Sequence, residues 1–181
     1  MITIMSGPLE PLFSDAATRQ LGAGQPLFHA GDAVLSMFFV RLGGADLIRF
    51  TGQGLRLVLH RAGPGAVLAE ASAWSERYHC DAVAAMPCHV AALPRDVFLS
   101  RLSSAPGIAE IWTRSLARAV QHTRLQAEIR SLPRVADRLD AWIGEGNRLP
   151  EKGRWQEVAA ELGVTREALY RELSRRRTRR Y

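Results

Sequence analysis

Arg166, Glu167, Tyr170 and Arg171 stand close together near the C-terminus, and their side chains suit the reading of base edges. A guanidinium can donate two parallel hydrogen bonds to guanine, and a carboxylate can accept from the amino group of cytosine. On a surface that only faced phosphate, Glu167 would repel the nucleic acid, so its place among arginines points to bases. Arg175, Arg176, Arg177, Arg179 and Arg180 follow without such a partner and suit phosphate, as does the hydroxyl of Thr165. An arginine run alone fits a solvated tail equally well. The mixed cluster ahead of it carries the reading.

Those residues need a helix to present them. Trp155 to Leu162 is amphipathic, Gly163 suits a left-handed turn residue, and Thr165 can cap a second helix that begins at Arg166. Ala159 is small where two helices would cross. Val158, Leu162, Val164, Leu169 and Leu173 fall on the faces that would hold the pair together. This is the spacing of a helix-turn-helix, whose second helix enters the major groove of DNA. The charge agrees. Of the net +6, residues 1–123 hold ten basic against nine acidic side chains, and residues 124–181 hold fourteen against nine.

Upstream, Pro106 to Ser131 contains no proline after its first residue and no glycine after its second, so it reads as one long helix. Ile108, Trp112, Leu116, Ala119, Val120, Thr123 and Ala127 form one stripe, and Leu125, Ile129 and Leu132 a second. Length and two apolar faces predict pairing with a second copy through Trp112, Leu116, Val120 and Thr123. Pro133 reads as a hinge, and Val135, Leu139 and Trp142 as one face of a further helix. Before Pro94 the texture is short apolar runs punctuated by glycine. Strands are predicted at 26–28, 37–40, 45–50, 55–60, 82–85 and 89–93, with turns at Gly31-Asp32, Gly43-Gly44 and Gly52-Gln53-Gly54. Such spacing predicts a barrel or jelly roll.

Cys80 and Cys88 are the only cysteines. If a tight turn at Met86-Pro87 joins their strands, the register opposes a disulfide, so buried free thiols are expected. His29, His60, His79 and His89 lack ligand spacing, which argues against a metal enzyme on this kind of β-roll. No apolar run is long enough to span a membrane and no signal-peptide layout opens the chain, so a cytoplasmic protein that is not an enzyme is expected.

The chain resembles the family of the cyclic-AMP receptor protein and the fumarate–nitrate reduction regulator. Thr165-Arg166-Glu167-Ala168-Leu169-Tyr170-Arg171 is similar to that family's recognition-helix signature. Phe28-His29-Ala30-Gly31-Asp32, Phe39 to Gly44, Gly63 to Glu70 and Leu93 to Phe98 resemble its barrel motifs in the family's order, over roughly residues 20 to 177. The resemblance implies an α+β chain: a cyclic-nucleotide-binding-like β-roll at 1–105, a dimerisation helix at 106–132, and a winged helix-turn-helix with a reduced wing at 133–181. It implies a homodimeric transcription regulator that binds double-stranded DNA at a two-fold symmetric operator, answers an unidentified small-molecule effector and meets RNA polymerase. The alternatives are a cyclic-nucleotide-binding-like regulatory module without DNA binding, or a cupin-type metal enzyme.

The departures are local. Cyclic-nucleotide-binding members carry Gly-Glu and then Arg-Ser or Arg-Thr around the ligand. Here Ala69 precedes Glu70, Tyr78-His79 stands in place of the Arg pair, and Arg77 is one residue out of register. The expected effector pocket is Glu70, Arg77, Tyr78 and His79, with neither cyclic nucleotide nor haem as its cofactor. The chain also stops soon after the recognition helix, where typical members continue into a wing strand.

Overall fold

The structure is a computed structural model describing residues 7–50, 52, 54 and 56–178, with Lys152 described by its backbone alone. Gln53, Leu55, Arg179 and Arg180 therefore lie outside the described residues. The chain forms two compact units, residues 1–116 and 117–181, with the boundary inside a long helix.

The first unit holds strands β1 (Ala17–Leu21), β2 (Pro26–Phe28), β3 (Ser36–Leu42), β4 (Ala45–Phe50), β5 (Arg56–Ala62), β6 (Val67–Leu68), β7 (Asp81–Ala84) and β8 (Cys88–Pro94). They make two antiparallel four-stranded sheets, ordered β1-β8-β3-β6 and β2-β7-β4-β5. The predicted strands are all present. β1 and β6 were not expected, because β1 buries only Leu21 and β6 is two residues long.

Between the sheets lies an apolar interior. Phe13 stacks 5.3 Å from Phe39 and sits 5.7 Å from Phe98, which meets Trp112 edge-on at 5.2 Å. The strands flanking Met86-Pro87 are not a hairpin as supposed: β7 and β8 lie in different sheets. Cys80 and Cys88 are nonetheless buried and free.

Helix α1 (Arg95–Ser104) leads to α2 (Pro106–Ser131), the uninterrupted helix that its lack of breakers predicts. Within the first unit, Trp112 is buried and Ile108 and Leu116 pack on the β-roll core. Trp112 thus belongs to the interior of its own unit, because Phe98 covers it. Farther along, Ala119, Val120, Thr123 and Ala127 are exposed, Val120 at 49%.

In the second unit, Leu125 and Ile129 of α2 join a core made with α3 (Val135–Gly144), α4 (Trp155–Leu162) and α5 (Arg166–Thr178). The second apolar stripe of α2 is therefore satisfied inside the chain. Leu139, Trp142, Val158, Ala159, Leu162, Leu169 and Leu173 complete that core. No strand follows Pro94 among the described residues, so the reduced wing expected from the resemblance has no strand there.

Candidate nucleic-acid interface and effector site

Gly163 has φ +63°, the left-handed value that favours glycine, and it ends α4. Its N–H donates to Ala160 O at 3.3 Å and that of Val164 to Ala159 O at 3.0 Å, the paired bonds of a Schellman cap. Two residues on, the Ala168 N–H donates to Thr165 Oγ1 at 3.2 Å, so Thr165 caps α5. Its oxygen accepts that bond, which leaves the O–H of the hydroxyl as a donor.

On the outer face of α5, Arg166, Glu167 and Arg171 are exposed. Tyr170 is half-buried and meets Trp155 edge-on at 5.0 Å, and the Arg166 guanidinium lies 5.2 Å from the Tyr170 ring. The ring thus fixes where Arg166 projects. Such a cation–π contact contributes about 0.5–1 kcal/mol at an exposed site.

The arginines beyond Leu173 part company. Arg175 is exposed and pairs with Glu172 Oε2 at 2.7 Å. Arg177 lies 5.6 Å over the Trp155 ring. Arg176, expected on phosphate, is committed inward: it donates to Glu172 Oε1 at 2.8 Å, Asp140 Oδ1 at 2.5 Å and Ala136 O at 3.1 Å. Glu172 is buried, and an unpaired buried carboxylate would be costly, so its arginines are held by it.

Two arginines that the sequence reading passed over sit behind the turn. Arg130 of α2 donates to Glu161 O at 2.9 Å and Ala160 O at 3.2 Å. Arg138 of α3 donates to Leu162 O at 3.1 Å, Gly163 O at 3.0 Å and Leu132 O at 2.6 Å. No spacing rule marks them, because all of their partners except Leu132 O are backbone carbonyls 24–31 residues away.

In the β-roll, Ala69 adopts φ +63°, keeping a left-handed turn without the glycine that suits it. Glu70 follows, half-buried, in a 3-10 turn at 70–72. Tyr78 is buried, its ring 3.9 Å from that of Phe28 and its hydroxyl donating to Ser36 O at 2.5 Å. Burial pushes the Tyr78 phenol above its usual range. Arg77 is exposed and donates to Gly31 O at 2.7 Å. His79 Nδ1 lies 3.1 Å from Ser72 Oγ, while Arg49 donates to His79 O at 2.7 Å. Glu70 and His79 are thus linked through one short turn, while Tyr78 turns into the core and Arg77 turns to the Gly31 loop. Arg49 of β4 is a cation beside His79, and the motif did not point to it. Among the described residues no group of three or more His, Cys, Asp or Glu is placed to hold a metal, and no helix is long and apolar enough to cross a membrane.

Residues 18–105 match the cyclic nucleotide-binding domain family. Over 155 residues the chain is 29% identical to the cyclic AMP receptor protein of Thermus thermophilus, spanning 83% of this chain and 72% of that one. The c-di-GMP-responsive global regulator CLP of Xanthomonas campestris superposes with a TM-score of 0.74 at 21% identity, over 94% of this chain and 91% of that one. FixK2 of Bradyrhizobium japonicum gives 0.71 at 17%, over 91% and 85%. Residues 18–105 thus match the cyclic nucleotide-binding domain family, and over most of its length the chain is similar to the cyclic AMP receptor protein of Thermus thermophilus and shares the fold of the two regulators above.

Proposed function

We propose that this protein is a sequence-specific regulator of transcription that binds a two-fold symmetric DNA site as a homodimer. The observation that carries the reading is the outer face of α5, where Arg166, Glu167 and Arg171 are exposed together while Leu169 and Leu173 face the core. A 13-residue helix is about 20 Å long, enough to lie across the major groove. Arg166 and Arg171 would address guanine, Glu167 cytosine, and Tyr170 would hold Arg166 in register. Arg175 and Arg177 would meet phosphate, and Arg179 and Arg180 would extend that contact. Arg176 would serve the fold.

The functional division is then a β-roll sensor at 1–105, a dimerisation helix at 106–132 and a reader at 133–181. Leu116, Val120 and Thr123 would lie along the helix that meets the second copy. In the cell the partners would be double-stranded DNA in the cytoplasm, RNA polymerase and an effector that is not cyclic AMP. The protein would not act as an enzyme. Selection from a random DNA pool tests this reading. Enrichment of a palindrome with half-sites about one helical turn apart supports it, and a pool left unenriched refutes it.

A further inference from the structure

Helix α4 is eight residues long, and its last turn leaves carbonyls without a helical donor. The Schellman bonds satisfy Ala159 and Ala160. The row from Ala160 to Gly163 is then occupied by two guanidinium groups that come from other helices. Arg130 is the penultimate residue of α2, and Arg138 the fourth of α3. They stand on either side of the Leu132-Pro133-Arg134 break. Arg138 also holds the break itself, through Leu132 O at 2.6 Å. The stem of Arg130 lies against Gly163, where an added Cβ would come within 3.2 Å of its Cγ.

A cation is favoured at a helix C-terminus by the dipole. A cap for that purpose alone needs one residue, and it can come from the helix's own last turn. Here Arg130 bridges two carbonyls through Nε and Nη2, Arg138 reaches the next two through Nη1, and both sides of the chain break share one acceptor row. Swinging α4 away from the end of α2 would break the Arg130 bonds. Bending at Pro133 would break the Arg138 bond to Leu132 O, while its bonds to Leu162 O and Gly163 O tie α3 to the end of α4.

We propose that Arg130 and Arg138 are positioning residues that lock the α4–α5 pair to the end of α2. The Pro133 break is then a rigid joint and not the hinge its sequence suggests. The direction of the recognition helix relative to α2 is set without a ligand. This rests on the DNA-reading function above. In a dimer joined through α2, a rigid joint fixes the spacing at which two recognition helices meet their half-sites. One base pair more or less rotates a half-site by about 34°, so a locked reader should discriminate sharply against it.

The test uses the full chain with Arg130→Met, which keeps the stem over Gly163 and removes the fork. Arg130→Lys restores the charge without the planar pair of donors. DNA affinity is measured on the selected palindrome and on versions with the spacing changed by one base pair. Hydrogen exchange is measured without DNA. Both variants should keep the wild-type far-UV spectrum and oligomeric state. Their preference for the best spacing should fall by about fivefold or more. Amides of Ser131, Leu132, Arg134 and Val135 and those at 160–164 should exchange faster while those around Leu169 hold. Unchanged spacing preference and unchanged exchange in Arg130→Met would overturn the joint. Full recovery in Arg130→Lys would also overturn it, leaving a helix-dipole charge. If wild-type protein binds no palindrome, the proposed function fails, and the exchange measurement still decides the joint.

Discussion

Arg171 and Arg175 stand one turn apart on α5, and both are exposed. They differ in company. Arg175 is paired with Glu172, whereas Arg171 has no carboxylate partner among the described residues. Arg171→Ala is expected to cost about 1–3 kcal/mol on the selected site and to relax preference at one position of each half-site. Arg175→Ala should weaken all sequences alike and make the salt dependence shallower by about one unit of slope. Titrations on selected and scrambled DNA at several salt concentrations check both; equal losses on both DNAs for Arg171→Ala would remove it from base reading. Tyr78 bears on the effector. With its ring on Phe28 and its hydroxyl on Ser36 O, it does not offer the charge and donors a cyclic phosphate needs. Calorimetry with cyclic AMP should show no micromolar binding. Cys80 supplies a pH dependence. Burial pushes its thiol up to about 11 from 9.0, with Arg49 opposing and Glu70 and Asp81 adding to the rise. Below about pH 9 the thiol is neutral in both states and its contribution is complete. Between about 9 and 11 the unfolded thiol ionises first, so stability falls. Urea unfolding at pH 8 and pH 10.5 should show a smaller loss for Cys80→Ala than for wild type.

Elements owe their paths to a few backbone positions. Gly43 has φ +77°, and an added Cβ would lie 2.2 Å from Pro87 O, so the β3–β4 turn and the β7–β8 connection touch there. Gly43→Ala should cost about 3 kcal/mol, since both strain and backbone must give. Gly24, with φ +81° and open space around it, isolates the strain alone, and Gly24→Ala should cost about 1 kcal/mol. Equal losses in urea denaturation would show that the close approach does not matter. Helices α2, α3 and α4 were legible from the sequence because each has a breaker at one end. Pro106 opens α2, Gly144 ends α3 and Gly163 closes α4. β1 was not legible, since its exposed Ala17 to Gln20 show no alternation and only pairing with β8 makes it a strand.

At the scale of the whole molecule the proposed function rests on pairing of two copies through α2. The free part of the α2 stripe is narrower than its periodicity suggests: Trp112 is buried and Leu116 leans on the β-roll core. Val120 and Thr123 remain exposed. The double substitution Val120→Glu with Thr123→Glu is therefore expected to give monomers that keep the far-UV spectrum and bind the palindrome more weakly. Sedimentation checks this. A wild type that is monomeric at all working concentrations, or a variant that stays dimeric, would remove α2 as the interface.

Sequence alone determined the order of parts, since glycine punctuation, uninterrupted helical stripes and the Thr165–Arg171 signature are local patterns. It also determined which residues face outward on α5, because the core positions Leu169 and Leu173 fix the phase of that helix. Tertiary structure decided which arginines are free. Arg176 is held by Asp140 of another helix, and Arg130 and Arg138 by carbonyls of α4, pairings that depend on how helices pack and leave no mark on spacing. It likewise placed Tyr78 in the core and β7 and β8 in separate sheets. The physical reason is one of range. Helix and turn preferences act over a few residues, whereas a guanidinium finds its acceptor only after the chain has brought distant backbone within about 3 Å.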